Sequence, residues 1–171
     1  GSNICHYSWP VPNTTGNKYR VKIVQASDAT YVKDTSVADF TVQGTVTLVA
    51  PGKNAGSPEV WTVDGISNNI DWSFTGTIAN VDIYLDTAIG TVGYPIEILA
   101  GRNASSHPYT WTIPSGQYVL ITSDTCRIRV SDSTEPTVYG ASTNDFKIKP
   151  VLTITKPDAS SKFRSESSSD I

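Results

Sequence analysis

His107-Pro108-Tyr109-Thr110-Trp111-Thr112-Ile113-Pro114 decides the fold, because a second version of it, His6-Tyr7-Ser8-Trp9-Pro10-Val11-Pro12, stands near the start of the sequence. In both, an aromatic, a small polar residue, Trp, a variable residue, a β-branched aliphatic and Pro follow in the same order. That is the pattern of an alternating strand that runs into a proline stop. The segments downstream keep the correspondence: Tyr19-Arg20-Val21-Lys22-Ile23 answers Cys126-Arg127-Ile128-Arg129-Val130, and Asp39-Phe40-Thr41-Val42 answers Asp145-Phe146-Lys147-Ile148. Thr47-Leu48-Val49-Ala50-Pro51 then answers Thr153-Ile154-Thr155-Lys156-Pro157. A period of roughly 100 residues is the size of one β-sandwich domain.

Between Val46 and Pro150 the sequence reads as a complete unit of short strands. Val46 to Ala50 opens it and Pro51-Gly52 stops it; Lys53 to Pro58 is a Gly-, Asn- and Ser-rich loop; Glu59 to Val63 is a short strand ended by Asp64-Gly65. Ile70, Trp72 and Phe74 alternate, as do Val81, Ile83 and Leu85, which face inward while Asp82 and Tyr84 face outward. Tyr94 to Leu99, Tyr109 to Ile113, Tyr118 to Thr122, Arg127 to Val130 and Asp145 to Ile148 complete the set. Short, closely spaced strands without a helical period predict an all-β, immunoglobulin-like β-sandwich.

The repeat divides the chain into residues 1–45, the C-terminal half of one such sandwich, residues 46–150, a complete one, and residues 151–171, the first strand of a third followed by a Ser-rich tail with one aromatic, Phe163. In the first part Tyr7, Trp9 and Val11 alternate, Asn13 to Asn17 form a turn, Tyr19, Val21 and Ile23 alternate again, Ala26 to Ala38 is a polar loop, and Phe40 and Val42 are the last inward pair. Such strands cannot close a sandwich alone. Three explanations compete: the chain is a stretch of a longer tandem protein, its edges are completed by strands of a neighbouring molecule, or residues 1–45 pack on the complete unit.

Composition narrows the function. Of 171 residues 17% are charged and none is Met, while Thr, Ser, Val and Ile abound, the profile of an extracellular β protein. The formal net charge of -3 has the wrong sign for a nucleic-acid binder. No apolar run approaches the ~20 residues that cross a bilayer as a helix, so membrane insertion is not expected. Cys5 and Cys126 have no metal-ligand spacing; separate thiols are expected, with a bond between neighbouring molecules as the alternative. Asn13-Thr14-Thr15 and Asn103-Ala104-Ser105 are sequons in turn-like contexts, candidates for glycosylation.

Several features of residues 46–150 resemble the immunoglobulin-like repeat of the Ser-Thr-rich glycosylphosphatidylinositol-anchored membrane family, related to the Kre9/Knh1 cell-wall domain and found in large microbial surface proteins. They are the opening strand ending in Pro51, Trp61 ahead of Gly65, Ile70-Asp71-Trp72 followed by Gly76, Val81-Asp82-Ile83-Tyr84-Leu85, Tyr109 to Pro114 and Asp145-Phe146-Lys147-Ile148. Residues 1–45 resemble its second half. Gly140-Ala141-Ser142 departs from the polar run Asp34-Thr35-Ser36. The resemblance implies an extracellular spacer on a cell surface and brings no active-site residue.

Nothing in the sequence assembles a catalytic constellation. His6 and His107 lack a recurring partner, and Asp82 and Asp86 read as solvent-facing strand positions, not as the paired acids of a glycosidase. Asp28, Asp34 and Asp39, and Asp124, Asp132 and Glu135, cluster in loops without the spacing of a calcium loop. Trp9, Trp72, Trp111, Phe40 and Phe146 are expected in the core, and Trp61 alone is free to stack on a sugar. The expectation is therefore a non-enzymatic extracellular structural protein without a cofactor or metal, a segment of a tandem array or a filament subunit on the cell surface, associating with its own kind. The rival is a carbohydrate-binding or adhesive module.

Overall fold

A computed structural model describes residues 4–52, 58–63, 68–88, 93–114 and 121–162. In chain order the strands are β1 (Gly16–Tyr19), β2 (Lys22–Gln25), β3 (Asp28–Thr35), β4 (Phe40–Val42), β5 (Thr45–Ala50), β6 (Val60–Thr62), β7 (Asn68–Thr75), β8 (Asn80–Asp86), β9 (Ile96–Asn103), β10 (Tyr109–Trp111), β11 (Ser123–Asp132), β12 (Tyr139–Ala141) and β13 (Phe146–Lys149). The chain is all-β.

The unit from β5 to β13 is a sandwich of two sheets. One has the order β10-β7-β5; the other has the order β6-β13-β11-β8-β9, with β12 also on β11. β6 runs parallel to β13, whereas the other pairs are antiparallel. The opening segment thus starts in one sheet as β5 and finishes in the other as β6, and the long β11 sits at the centre. This is an immunoglobulin-like arrangement with an added strand, β9, beside β8.

Alternation explains the core. On β7 Ile70 and Trp72, on β8 Val81, Ile83 and Leu85, on β11 Cys126, Ile128 and Val130, and on β13 Phe146 and Ile148 are fully buried. Each aliphatic side chain sealed in this way contributes about 1.5–3 kcal/mol. Trp72 satisfies its one polar atom by donating Nε1–H to the Ala104 carbonyl at 3.0 Å. Trp61 lies on Phe146 with ring centroids 4.6 Å apart and meets Trp111 edge-on at 6.2 Å.

The first part of the chain departs from the expectation. Tyr7, Trp9 and Val11 form no strand and are exposed, Trp9 by 44%, and Phe40 is half-buried with the edge of Trp9 at 6.0 Å. Neither belongs to the core. The reason is a missing partner: Trp111 is held by pairing opposite Asn68 of β7, and no strand among the described residues does this for Trp9. The stretch expected as a polar loop, Ala26 to Ala38, instead makes β3, which returns on β2 through Ala26-Ser27. At the other end Val151 to Thr155 forms no strand and is exposed. Tyr94 and Pro95 precede β9, which runs on to Asn103, and β12 is a strand that the sequence pattern does not signal. Lys53 to Ser57, Asp64-Gly65, Tyr118 to Leu120 and Phe163 lie outside the described residues.

Two hairpins of the chain share one geometry. β1 meets β4 at Gly16↔Val42 and Tyr19↔Phe40, and β11 meets β13 at Ser123↔Ile148 and Cys126↔Phe146, each with a register shift between the two pairs. β2 and β3 pair at Lys22↔Thr35, Ile23↔Asp34 and Val24↔Lys33; β11 and β12 pair at Arg129↔Ala141, Val130↔Gly140 and Ser131↔Tyr139. Ser36 donates its N–H to Val21 at 2.9 Å, and Ser142 donates to Ile128 at 2.9 Å. Both serine hydroxyls accept in return, from the Val21 and Ile128 amides. Arg20 Nε meets Asp39 Oδ1 at 2.5 Å, and Arg127 Nε meets Asp145 Oδ1 at 2.6 Å. The sequence correspondence is therefore also a correspondence of ladder, kink and ion pair.

The junction between the first hairpin and the sandwich is tight. Asn13 Oδ1 accepts the Gly76 N–H at 2.5 Å, and Thr15 bonds Thr77 through both its N–H and its hydroxyl. Gly76 has φ of 85°, and a Cβ there would come within 2.7 Å of Gly44 Cα. Val42 is buried beside this contact.

Candidate interaction surface

The first hairpin and its twin differ in what covers them. Val21 and Ile23 stand where the twin buries Ile128 and Val130, yet they are 48% and 71% exposed. In the twin, β8 pairs along β11 from Arg127↔Asp86 to Asp132↔Val81, and β6 pairs along β13 with Ile148↔Trp61. Among the described residues β2 pairs with β3 alone and β4 with β1 alone. Both outer edges therefore carry N–H and C=O groups without a strand partner, next to apolar side chains in water. Such an edge is a template for a further strand.

A second surface lies on the outer face of the large sheet. The Arg129 guanidinium carbon is 5.1 Å from the Tyr84 ring centroid, 5.0 Å from Tyr94 and 5.7 Å from Tyr139. Its Nε is buried without a hydrogen-bond partner, so ring faces and not oxygens surround that N–H. Burial pushes the Tyr84 hydroxyl up, with Asp82 and Glu97 adding to the rise and Arg129 opposing it; burial likewise raises Tyr94. The first hairpin holds Lys22 and Lys33 at the positions of Arg129 and Tyr139, so the fold itself does not require the cluster. Sequence reasoning missed it. The outward alternation of Tyr84 gave half the signal, but Tyr94 arrives from a loop before β9, a placement without a periodic trace.

Trp61 is 7% exposed and packed on Phe146, so it is not free to stack on a sugar as the sequence allowed. Its stretch looks irregular because β6 is only a short parallel addition to β13. Trp72, Trp111 and Phe146 lie in the core. Cys126 is fully buried and its thiol is pushed up to about 11 by burial, which rules it out as the partner of an intermolecular disulfide in the folded chain; Cys5 is exposed.

Asn103 is exposed and its Oδ1 accepts the Ser105 N–H at 3.0 Å, an Asx turn, while the Asn13 side chain is exposed but engaged with Gly76. His107 Nδ1 lies 2.9 Å from Asp71 Oδ1, and its ring centroid is 5.6 Å from that of the buried Trp72. Asp82 accepts from the Gly101 amide and the Ser133 hydroxyl, and Asp86 accepts from the Ala88 amide, so both carboxylates pin loops, and Asp86, read from the sequence as solvent-facing, is instead buried. Asp132 Oδ1 takes the amide and hydroxyl of Thr134. A polar groove of about 340 Å³ at the junction is lined by Thr15, Gln43, Thr77, Asp132 and Glu135 among others, but no group of three His, Cys, Asp or Glu that could hold a metal occurs among the described residues.

No family model, no curated protein and no solved structure matches this chain. No helix among the described residues is long and apolar enough to cross a membrane.

Proposed function

We propose that this chain is a non-enzymatic structural segment of an extracellular, cell-surface assembly: consecutive immunoglobulin-like units joined by short linkers, or a filament subunit completed by strands from outside its own fold. The observation that carries the reading is the pair of hairpins with the same register, kink and Arg–Asp pair, one sealed in a sandwich and one bare. A repeated element with one copy uncovered is what a stretch of such an assembly presents. The tight junction at Gly44 and Gly76 limits bending between neighbours. A cell-surface location is what the resemblance read from the sequence implies.

A load-bearing module gives way in one cooperative step. Pulled from its two ends in a force experiment, the chain should show a single event that releases on the order of 350 Å, the length of the β5–β13 unit stretched out. Gradual extension at low force would sink the structural reading.

The rival reading, a carbohydrate-binding or adhesive module, passes from Trp61 to the tyrosines around Arg129, of which Tyr139 is exposed, since Tyr and Arg are residues that dominate recognition surfaces. Retention of the chain by a defined glycan, lost on Tyr139→Ala, would favour it; the structural reading expects no such retention.

A further inference from the structure

We infer that the bare face of the first hairpin is an acceptor for a part-sandwich of the same repeat type, the counterpart of β6 to β9 (residues 59–107), and that the twin hairpin specifies its docking register. This deepens the array reading and rests on it. In the twin, β8 runs antiparallel to β11 and sets Leu85 opposite Ile128 and Ile83 opposite Val130. The equivalent edge of the first hairpin begins at Arg20 and presents Val21 and Ile23 at those positions. It takes a strand with branched aliphatic residues at alternate places.

The second contact is aromatic. β6 runs parallel to β13, pairs Trp61 with Ile148 and lays the indole 4.6 Å from Phe146. Phe40 and Val42 stand where Phe146 and Ile148 do, and Phe40 is half-buried. The open β4 edge therefore takes a parallel strand whose tryptophan closes over Phe40.

Charge agrees with this occupant. Asp86 of β8 lies opposite Arg127 and is buried there, and Asp82 lies opposite Ser131. The edge of the first hairpin carries Lys18 and Lys22 on either side of Arg20, which pairs with Asp39 as Arg127 pairs with Asp145, a basic edge suited to a strand with an acid at the Asp86 position.

Backbone geometry excludes the chain's own C-terminal strand candidate. In the twin, β5 crosses β12 so closely that a Cβ on Gly140 would sit 2.7 Å from Leu48 N and from Val46 O. The first hairpin has Asp34 at that position, so a strand of the β5 type cannot cross it in the same way. Val151 to Thr155 answers β5 in sequence, and it is for this reason not the occupant.

The test adds a second copy of residues 59–107, β6 to β9, directly ahead of Tyr7 in the full chain and follows amide hydrogen exchange. Exchange at Lys22 and Val24, the alternate positions to Val21, whose N–H already bonds Ser36, is expected to slow by on the order of 100-fold, the mark of a sheet edge becoming interior. Ile23→Asp in the extended protein should abolish that protection and leave Ile128 and Val130 protected. A control carries the sequence of residues 123–149 in place of 16–42, to establish that the added part is competent to fold. If the control is protected and the natural hairpin is not, the proposal is overturned. Protection that appears in the unextended chain and rises with its concentration would also overturn it, by assigning the face to a second copy. The force experiment reads the β5–β13 unit alone, so the array reading can survive while this one fails.

Discussion

Gly140 carries more of the architecture than its size suggests. The nearest neighbours of a Cβ built there are Leu48 N and Val46 O at 2.7 Å and Thr47 Cα at 3.0 Å, all backbone atoms of β5 that cannot turn aside as a side chain would. The opening strand can lie across β12 only because nothing projects from this position. Gly140→Asp should therefore destabilise the unit by roughly 3 kcal/mol or more, as overpacking against fixed backbone and a carboxylate forced against it combine. The reciprocal Asp34→Gly, at an exposed site that no strand crosses, should move stability by less than about 1 kcal/mol. Urea unfolding of both variants checks the pair. An unchanged midpoint for Gly140→Asp would mean that β5 does not pass there in solution.

Strands were legible where one face is buried and the other is not. Val81, Ile83 and Leu85 announce β8, and Ile70 and Trp72 announce β7, because the sandwich seals alternate residues and leaves their neighbours polar. The same logic fails for β3, whose Tyr31 and Val32 are exposed side by side among Lys33, Asp34 and Thr35. No buried face imposes a period on it, and its register is visible only through the twin. Tyr7-Ser8-Trp9 is the opposite case: the alternation is present, but the strand that would hold it as β7 holds β10 is not among the described residues, so the pattern yields no strand. The candidate surface divides in the same way. The bare hairpin follows from the sequence repeat, whereas the rings around Arg129 depend on the pairing of β8, β11 and β12 and on the loop before β9, which spacing along one strand does not encode.

At the scale of the whole molecule, one thiol reports whether the sandwich is closed. Cys126 lies on the central β11 with Ile128 and Val130, fully buried, and its Sγ has weak contacts with the Ile121 and Ser123 carbonyls. Burial holds its proton in place up to about pH 11, against an ordinary value of 9.0. Below the ordinary value both folded and unfolded chains keep the proton, and the packing of the neutral thiol contributes in full. As pH rises from about 9 towards 11 the unfolded chain releases the proton while the folded chain cannot, so stability falls across that window. The loss should reach on the order of 2 kcal/mol. Cys126→Ala removes this linkage, and its unfolding free energy should fall less steeply than that of the natural chain between those pH values, with Cys5 and the other titrating groups common to both. Parallel curves would show that Cys126 reaches solvent in the folded state. In the natural chain a thiol reagent should accordingly modify Cys5 at once and Cys126 only as fast as the β5–β13 unit opens, because the exposed thiol lies outside the sandwich and the buried one lies between its sheets.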